Sequence, residues 1–162
     1  MGWTGKILRV DLGAGSCASE PLNMEWAQAY MGQRGLATKY LIEETDPKVD
    51  PLSPENKMIF ATGPLTGTIA PTSGRWSGVC KGPLTGAIAC SNSGGFFGAE
   101  LKNAGWDMII FEGRSAGPVY LDISNDEAEL KDASDLWGKS VWETETTLIQ
   151  RRVDNDARVA SI

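Results

Sequence analysis

Arg75 is the only cationic side chain in a run of small residues, Pro71 to Gly74, that ends at Trp76. A guanidinium is planar, permanently charged and armed with a fork of donors, which suits a phosphate or the edge of a heterocycle. A second run of the same character, Ser91 to Gly95, lies seventeen residues on and contains Asn92, Ser93, Gly94 and Gly95. Glycine, serine and asparagine leave backbone amides accessible, so a ligand can lie directly against the main chain. Each run follows a copy of one motif: Gly63 to Ala70 and Gly82 to Ala89 differ at a single position of eight. A period of 19 in two copies is too short and too few for a solenoid. The plainer alternative is a pair of tight turns with Arg75 in a surface salt bridge. Neither GxGxxG opening a helix nor GxxxxGK[ST] occurs, so a Rossmann site and a P-loop are unsupported.

Composition restricts the remaining chemistry. The chain of 162 residues has no histidine, which excludes imidazole catalysis and histidine-containing zinc sites within it. Its three cysteines, Cys17, Cys80 and Cys90, have the spacing of neither a metal knuckle nor a disulfide framework. A net charge of -6 argues against a nucleic-acid partner, which requires a basic face. The charge is uneven: residues 61–110 hold three basic and two acidic side chains, against six and eleven in residues 111–162. The middle segment also holds ten of the 19 glycines. No signal-peptide pattern and no apolar run of membrane-spanning length is present, so a cytoplasmic location is the expectation.

The elements that must position these loops read as follows. Lys6 to Leu12 alternates as a half-buried strand and the first arm of a hairpin, stopped by Gly13 and Gly15. Asn23 caps a helical stretch reaching Glu44, which Gly32 and Gly35 divide. Prolines 47, 51 and 54 make a stiff connection. Met58 to Thr62, Ser77 to Lys81, Ala87 to Ser91 and Asp107 to Glu112 are strands, the last central. Ala99 to Ala104 is a short helix that ends at a left-handed Gly105. Val119 to Ser124 pairs with Glu127 to Lys131 through Asn125 and Asp126. A helix from Ser140 to Val153 follows, and Val159 to Ile162 begins another strand that ends abruptly on an apolar residue, which suggests truncation.

Several separated segments together resemble one family. These are the proline segment Asp46 to Asn56, Ala61 to Gly67, the Gly74-Arg75 pair, Ser91 to Lys102 and Ala104 to Asp107. They resemble the N-terminal domain of the tungsten-containing aldehyde ferredoxin oxidoreductases, and the likeness extends to Ile162. It implies an α+β, strand-rich fold carrying the internal duplication of glycine loops. It also implies that residues 1–162 form a tungstopterin-binding domain, truncated at its C-terminal end and lacking the cluster and substrate domains. The implied activity of the full-length enzyme is oxidation of aldehydes to carboxylic acids at a bis-pterin tungsten centre. Electrons leave through a [4Fe-4S] cluster whose cysteine ligands lie outside this chain. By the same resemblance, Arg75 hydrogen-bonds a pterin. The carbonyl of Asn92 helps hold a Mg²⁺ that bridges the pterin phosphates, and Ser93, Gly94 and Gly95 contact pterin through their backbone. Two loop copies for two pterin halves is the simplest reading of the duplication.

The partners so implied are an aldehyde substrate, the remainder of a large subunit, and ferredoxin or another electron-acceptor subunit, within an oligomer. No catalytic residue falls in this chain, which alone is expected to be inactive. Two alternatives are a non-catalytic cofactor-binding or assembly module and a related enzyme acting on aromatic acyl-CoA. Glu100 and Lys102 are two apart on a helix and so point away from each other, which suits structural or solvated roles better than an acid/base pair. Trp76, Phe96 and Phe97 suit core or cofactor packing better than a substrate channel.

Overall fold

A computed structural model describes residues 2–152 and 154–161. Twelve elements follow in order: β1 (Lys6–Asp11), β2 (Ser16–Pro21), α1 (Met24–Tyr30), α2 (Gln33–Glu44), β3 (Met58–Thr62), β4 (Trp76–Lys81), β5 (Ile88–Ser93), α3 (Phe97–Asn103), β6 (Met108–Glu112), β7 (Val119–Ser124), β8 (Glu127–Asp132) and α4 (Val141–Arg152). Six strands form one mixed sheet in the order β2-β1-β6-β3-β4-β5, while β7 and β8 form a separate hairpin. Only β1 and β6 run parallel; the other neighbours in the sheet are antiparallel. The fold is therefore strand-rich and α+β, as expected from the sequence.

Strand alternation sends successive side chains to opposite faces, and both faces of the sheet are covered. Ile7, Ile59, Ala61, Val79, Met108 and Ile110 pack under α1 and α2 against Leu36, Tyr40 and Leu41. Leu8, Val10 and Ile109 pack on the other face with Leu101 and Trp106, flanked by Leu121 and Leu130 of the hairpin. The uninterrupted apolar run Met108 to Phe111 is what a strand with both faces covered requires.

Local signals set the boundaries. Asn23 Oδ1 accepts from Trp26 N at 3.0 Å and starts α1. The division between α1 and α2 falls at Met31 and Gly32, whereas Gly35 lies inside α2, contrary to its expected role as a breaker. Gly35 is required there for packing, since a Cβ would stand 2.6 Å from the Tyr30 carbonyl oxygen. Gly105 closes α3 at φ 96° and Asn125 turns the β7–β8 hairpin at φ 52°. Ser140 and Glu143 form a reciprocal capping box that opens α4. Val153 and Ile162, which the sequence reading assigned to a helix end and a strand, lie outside the described residues. Val159 to Ser161 have no strand structure, because a strand requires a paired neighbour and none pairs with them among the described residues. No helix among the described residues is long and apolar enough to cross a membrane.

A half-buried charge network ties the sheet to α2. Arg9 donates to both carboxylate oxygens of Glu20 and of Glu44, and also to Glu112, while Lys57 pairs with Glu44 and Glu112. Burial works to raise the Glu44 carboxyl, but the Arg9 hydrogen bond and the charges of Arg9 and Lys57 outweigh it and hold the group below its ordinary range. A folded-state pKa that is depressed adds stability above the unfolded carboxylate value, about 4.3, and loses it as the pH falls through the folded value. Urea midpoints should therefore drop on acidification below that value, and Glu44→Gln should flatten that part of the profile. An unchanged acid limb in Glu44→Gln would assign the acid sensitivity elsewhere.

Candidate functional site

Antiparallel pairing brings the two small-residue loops to one end of the sheet. The start of β4 pairs with the end of β5, Trp76 opposite Ser93 and Ser77 opposite Asn92. The end of β3 meets the same rung, Thr62 opposite Trp76. The connections 63–75 and 94–96 therefore emerge side by side. The second motif copy follows Lys81 at the other end of β4, one strand length away, on the order of 20 Å. The two copies consequently do not build one cluster, and their pairing with two halves of a ligand gains no support from this placement.

The copies also differ in environment. Thr66 of the first copy is 3% exposed, whereas its counterpart Thr85 is exposed. Ile88 and Ala89 lie in β5, but Ile69 and Ala70 belong to no strand. What the copies share is a left-handed glycine, Gly67 at φ 74° and Gly86 at φ 66°.

Arg75 and Asn92, far apart in sequence, form a direct pair: Arg75 Nη1 donates to Asn92 Oδ1 at 2.5 Å. Asn92 Nδ2 donates in turn to the Trp76 carbonyl oxygen and to Ser77 Oγ, each at 3.2 Å. The amide side chain of Asn92 is thus committed to holding the guanidinium and the adjacent strand. Among the described residues no carboxylate stands within salt-bridge distance of Arg75, although thirteen such pairs organise the rest of the chain. The surface salt bridge of the plainer reading is therefore not what holds this arginine. Arg158 supplies a second cation nearby, its guanidinium carbon 5.5 Å from the centre of the exposed Phe96 ring.

The loops meet main chain to main chain. A Cβ on Gly74 would lie 2.4 Å from the Gly95 carbonyl oxygen, and one on Gly98 would lie 2.9 Å from the Gly74 carbonyl oxygen. Gly94 and Gly95 have open space where a side chain would stand, and Gly95 adopts φ 76°. Asn92 and Ser93 occupy the last two rungs of β5, so the strand runs two residues further than its expected end at Ser91. Because β5 is an edge strand, alternate residues direct their main-chain groups away from β4, free for another partner.

Beneath the site Trp76 packs against Phe60 and Phe97, with ring centres 4.8 and 4.9 Å away, so two of the three aromatics are packing elements. Glu100 is exposed and Lys102 is buried against Asp107, which separates them as expected. The three thiols are unpaired, and burial pushes those of Cys17 and Cys80 upward, away from the reactive thiolate. No group of three histidine, cysteine, aspartate or glutamate side chains that could hold a metal occurs among the described residues.

Sequence reasoning missed Thr66 and Gln33, which both donate to the Arg75 carbonyl oxygen, and also Arg158. Thr66 carries no sequence signal, because the same motif surrounds Thr85. Gln33 follows Gly32, a weak cue that marked the helix break and not the contact.

Arg75, without a carboxylate partner among the described residues, thus stands beside open glycine backbone at a sheet edge. The chain belongs to the aldehyde ferredoxin oxidoreductase family, whose N-terminal domain model matches residues 7–162. It is 56% identical over 99% of its length to a tungsten-containing aldehyde ferredoxin oxidoreductase of Pyrococcus abyssi, and 51% identical over 98% to that of Pyrococcus furiosus. It covers 26% of each, so the chain spans about a quarter of the length of these curated relatives. Among solved structures, the active-site complex BamBC of benzoyl coenzyme A reductase, bound to 1,5-dienoyl-CoA, superposes with a TM-score of 0.93 at 40% identity. That match covers 96% of this chain and 24% of the other.

Proposed function

We propose that this chain is the N-terminal, cofactor-seating part of a tungsten-dependent aldehyde oxidoreductase that oxidises aldehydes to carboxylic acids. The group it would seat is a tungsten ion held by two pterins, which supplies the two-electron redox chemistry when bound. The residues fit such a group. Arg75 offers a donor fork with no competing carboxylate among the described residues, Gly94 and Gly95 leave room for a ligand against their backbone, and Ser93 lies on the adjoining rung. The side chain of Asn92 is engaged, so its main-chain oxygen would be the ligand offered to a Mg²⁺, a hard cation that accepts such an oxygen. Excluding water from one side and holding the pterin edge are the chain's own contributions.

A [4Fe-4S] cluster bound by cysteines outside this chain, a ferredoxin-type acceptor, an oligomeric assembly and a cytoplasmic setting complete the reading. Identity of 56% to aldehyde-oxidising relatives, against 40% to the acyl-CoA complex, favours an aldehyde substrate over an aromatic acyl-CoA.

The observation that carries the proposal is the Arg75–Asn92 pair, free of any carboxylate among the described residues. Arg75 is exposed, so Arg75→Ala should fold normally. A hydrogen bond to a charged group is worth about 1.5–3 kcal/mol, so cofactor affinity should fall by roughly ten- to a hundredfold. Pterin and tungsten per protein, measured after anaerobic purification of the enzyme at its native length, should drop together with aldehyde-dependent dye reduction. Full pterin and tungsten in Arg75→Ala would refute the assignment.

A further inference from the structure

Arg75 is held at both ends. Its guanidinium is fixed by Asn92, and its carbonyl oxygen accepts two hydrogen bonds, from Thr66 Oγ1 and from Gln33 Nε2, each at 3.0 Å. A carbonyl has two lone pairs, so this one is fully used. We propose that Thr66 and Gln33 are positioning residues that orient Arg75 toward the cofactor, a role that rests on the reading of Arg75 as a cofactor ligand.

The two donors come from separate parts of the fold. Thr66 is 3% exposed, and its hydroxyl oxygen accepts from Gly63 N at 2.9 Å, which leaves its single proton for Arg75. Gln33 stands at the start of α2 on unusual backbone: Met31 at φ 66° and Gln33 itself at φ 45° are left-handed without being glycine. Such conformations persist only where the surroundings enforce them, and they concentrate at sites that need a side chain aimed in one direction. Gly32 between them seats this turn on the first loop, since a Cβ there would lie 2.9 Å from Gly63 Cα and from the Thr62 carbonyl oxygen. With the carbonyl of Arg75 pinned, the peptide entering β4 cannot rotate, and the arginine side chain starts from one fixed direction.

The duplication provides an internal control. Thr85 has the same motif around it, yet it is exposed at the far end of β4, and its hydroxyl accepts only from Ala87 N at 3.2 Å. Thr66 also closes its own turn through Gly63 N, a bond with no counterpart at Thr85, so Thr85→Val controls for the shared motif while Gln33→Leu, which leaves that turn intact, isolates the support of Arg75. A threonine that positions Arg75 matters only at 66.

The test uses the cofactor-loaded enzyme at its native length and follows release of pterin by its fluorescence, a readout independent of turnover. Thr66→Val and Gln33→Leu should each speed release by roughly fivefold, the fold-change of one hydrogen bond. Thr66→Ser, which keeps the hydroxyl, should release at close to the parent rate, and Thr85→Val should match the parent. Parent-like release from both Thr66→Val and Gln33→Leu would overturn the positioning role, as would an equal acceleration in Thr85→Val or a failure of Thr66→Ser to restore retention. Arg75→Ala separates the two readings. If it leaves release unchanged, the ligand role of Arg75 falls; if it accelerates release while the Thr66 and Gln33 variants do not, only the positioning role falls.

Discussion

Lys102→Met should lower the folding stability of this chain by about 3–5 kcal/mol, the usual cost of leaving one member of a buried ion pair without its partner. Asp107 is 2% exposed and Lys102 8%, and they are bonded to each other. The other carboxylate oxygen of Asp107 accepts from Thr4 N, Thr4 Oγ1 and Gly5 N at 2.9, 3.0 and 2.7 Å. Methionine reproduces most of the lysine stem, so lost packing is a small part of the effect. What remains is a carboxylate that has lost its counter-charge in a dry setting. The consequence reaches the site, because the Asp107 carbonyl oxygen accepts from Thr62 N and Thr62 Oγ1, each at 2.9 Å, and Thr62 leads directly into the first glycine loop. Urea unfolding measures the loss. Lys102→Met combined with Asp107→Asn should recover part of it, since no charge is then left buried, and a loss below about 1 kcal/mol in the single variant would contradict the account.

The second large effect is expected from Gly74→Ala. The added Cβ would stand 2.4 Å from the Gly95 carbonyl oxygen, a main-chain atom that no side-chain rotation can move aside. The loop 94–96 must shift as a body, at about 1–3 kcal/mol, the usual range for overpacking. That shift displaces the backbone that the proposed function sets against the cofactor, so pterin and tungsten retention should fall as well. Gly94→Ala supplies the contrast: its Cβ meets nothing within 4 Å, so stability should stay within about 0.5 kcal/mol of the parent. The new methyl nevertheless fills space that the proposed cofactor seat would use, and retention should fall without a change in the unfolding midpoint. Parallel measurement of midpoint and metal per protein in both variants separates the two effects. A Gly74→Ala chain with both values unchanged would show that this backbone contact is dispensable.

Much of the fold was legible because it rests on local rules. Alternation marked β1, short apolar runs marked β3, β4 and β6, Asn23 marked a helix start, and Gly105 and Asn125 marked backbone that only special residues adopt readily. Where local rules failed, a distant contact had decided the outcome. Gly35 was read as a helix breaker, yet it is retained in α2 because Tyr30 packs where its side chain would be. Asn92 and Ser93 were read as loop, but β4 offered them two more rungs to pair with. The ion pair of Lys102 with Asp107 was invisible because nothing in a spacing of five residues, broken by a left-handed glycine, foretells a shared buried pocket.

The sequence by itself determined the residue types available for the site and the class of ligand they suit: no imidazole, one arginine among small residues, and glycines that expose the main chain. Its separated motifs were also enough to place it in its family. Only the tertiary structure decided which of two nearly identical motifs stands beside the Arg75–Asn92 pair. The copies share their residues and a left-handed glycine, but antiparallel pairing carries one to each end of β4, and only the end where β5 returns brings Asn92 and Gly95 to Arg75. The copies have nearly the same sequence but form different hydrogen bonds and burial; the distinction arises from strand direction, which is a property of the whole sheet.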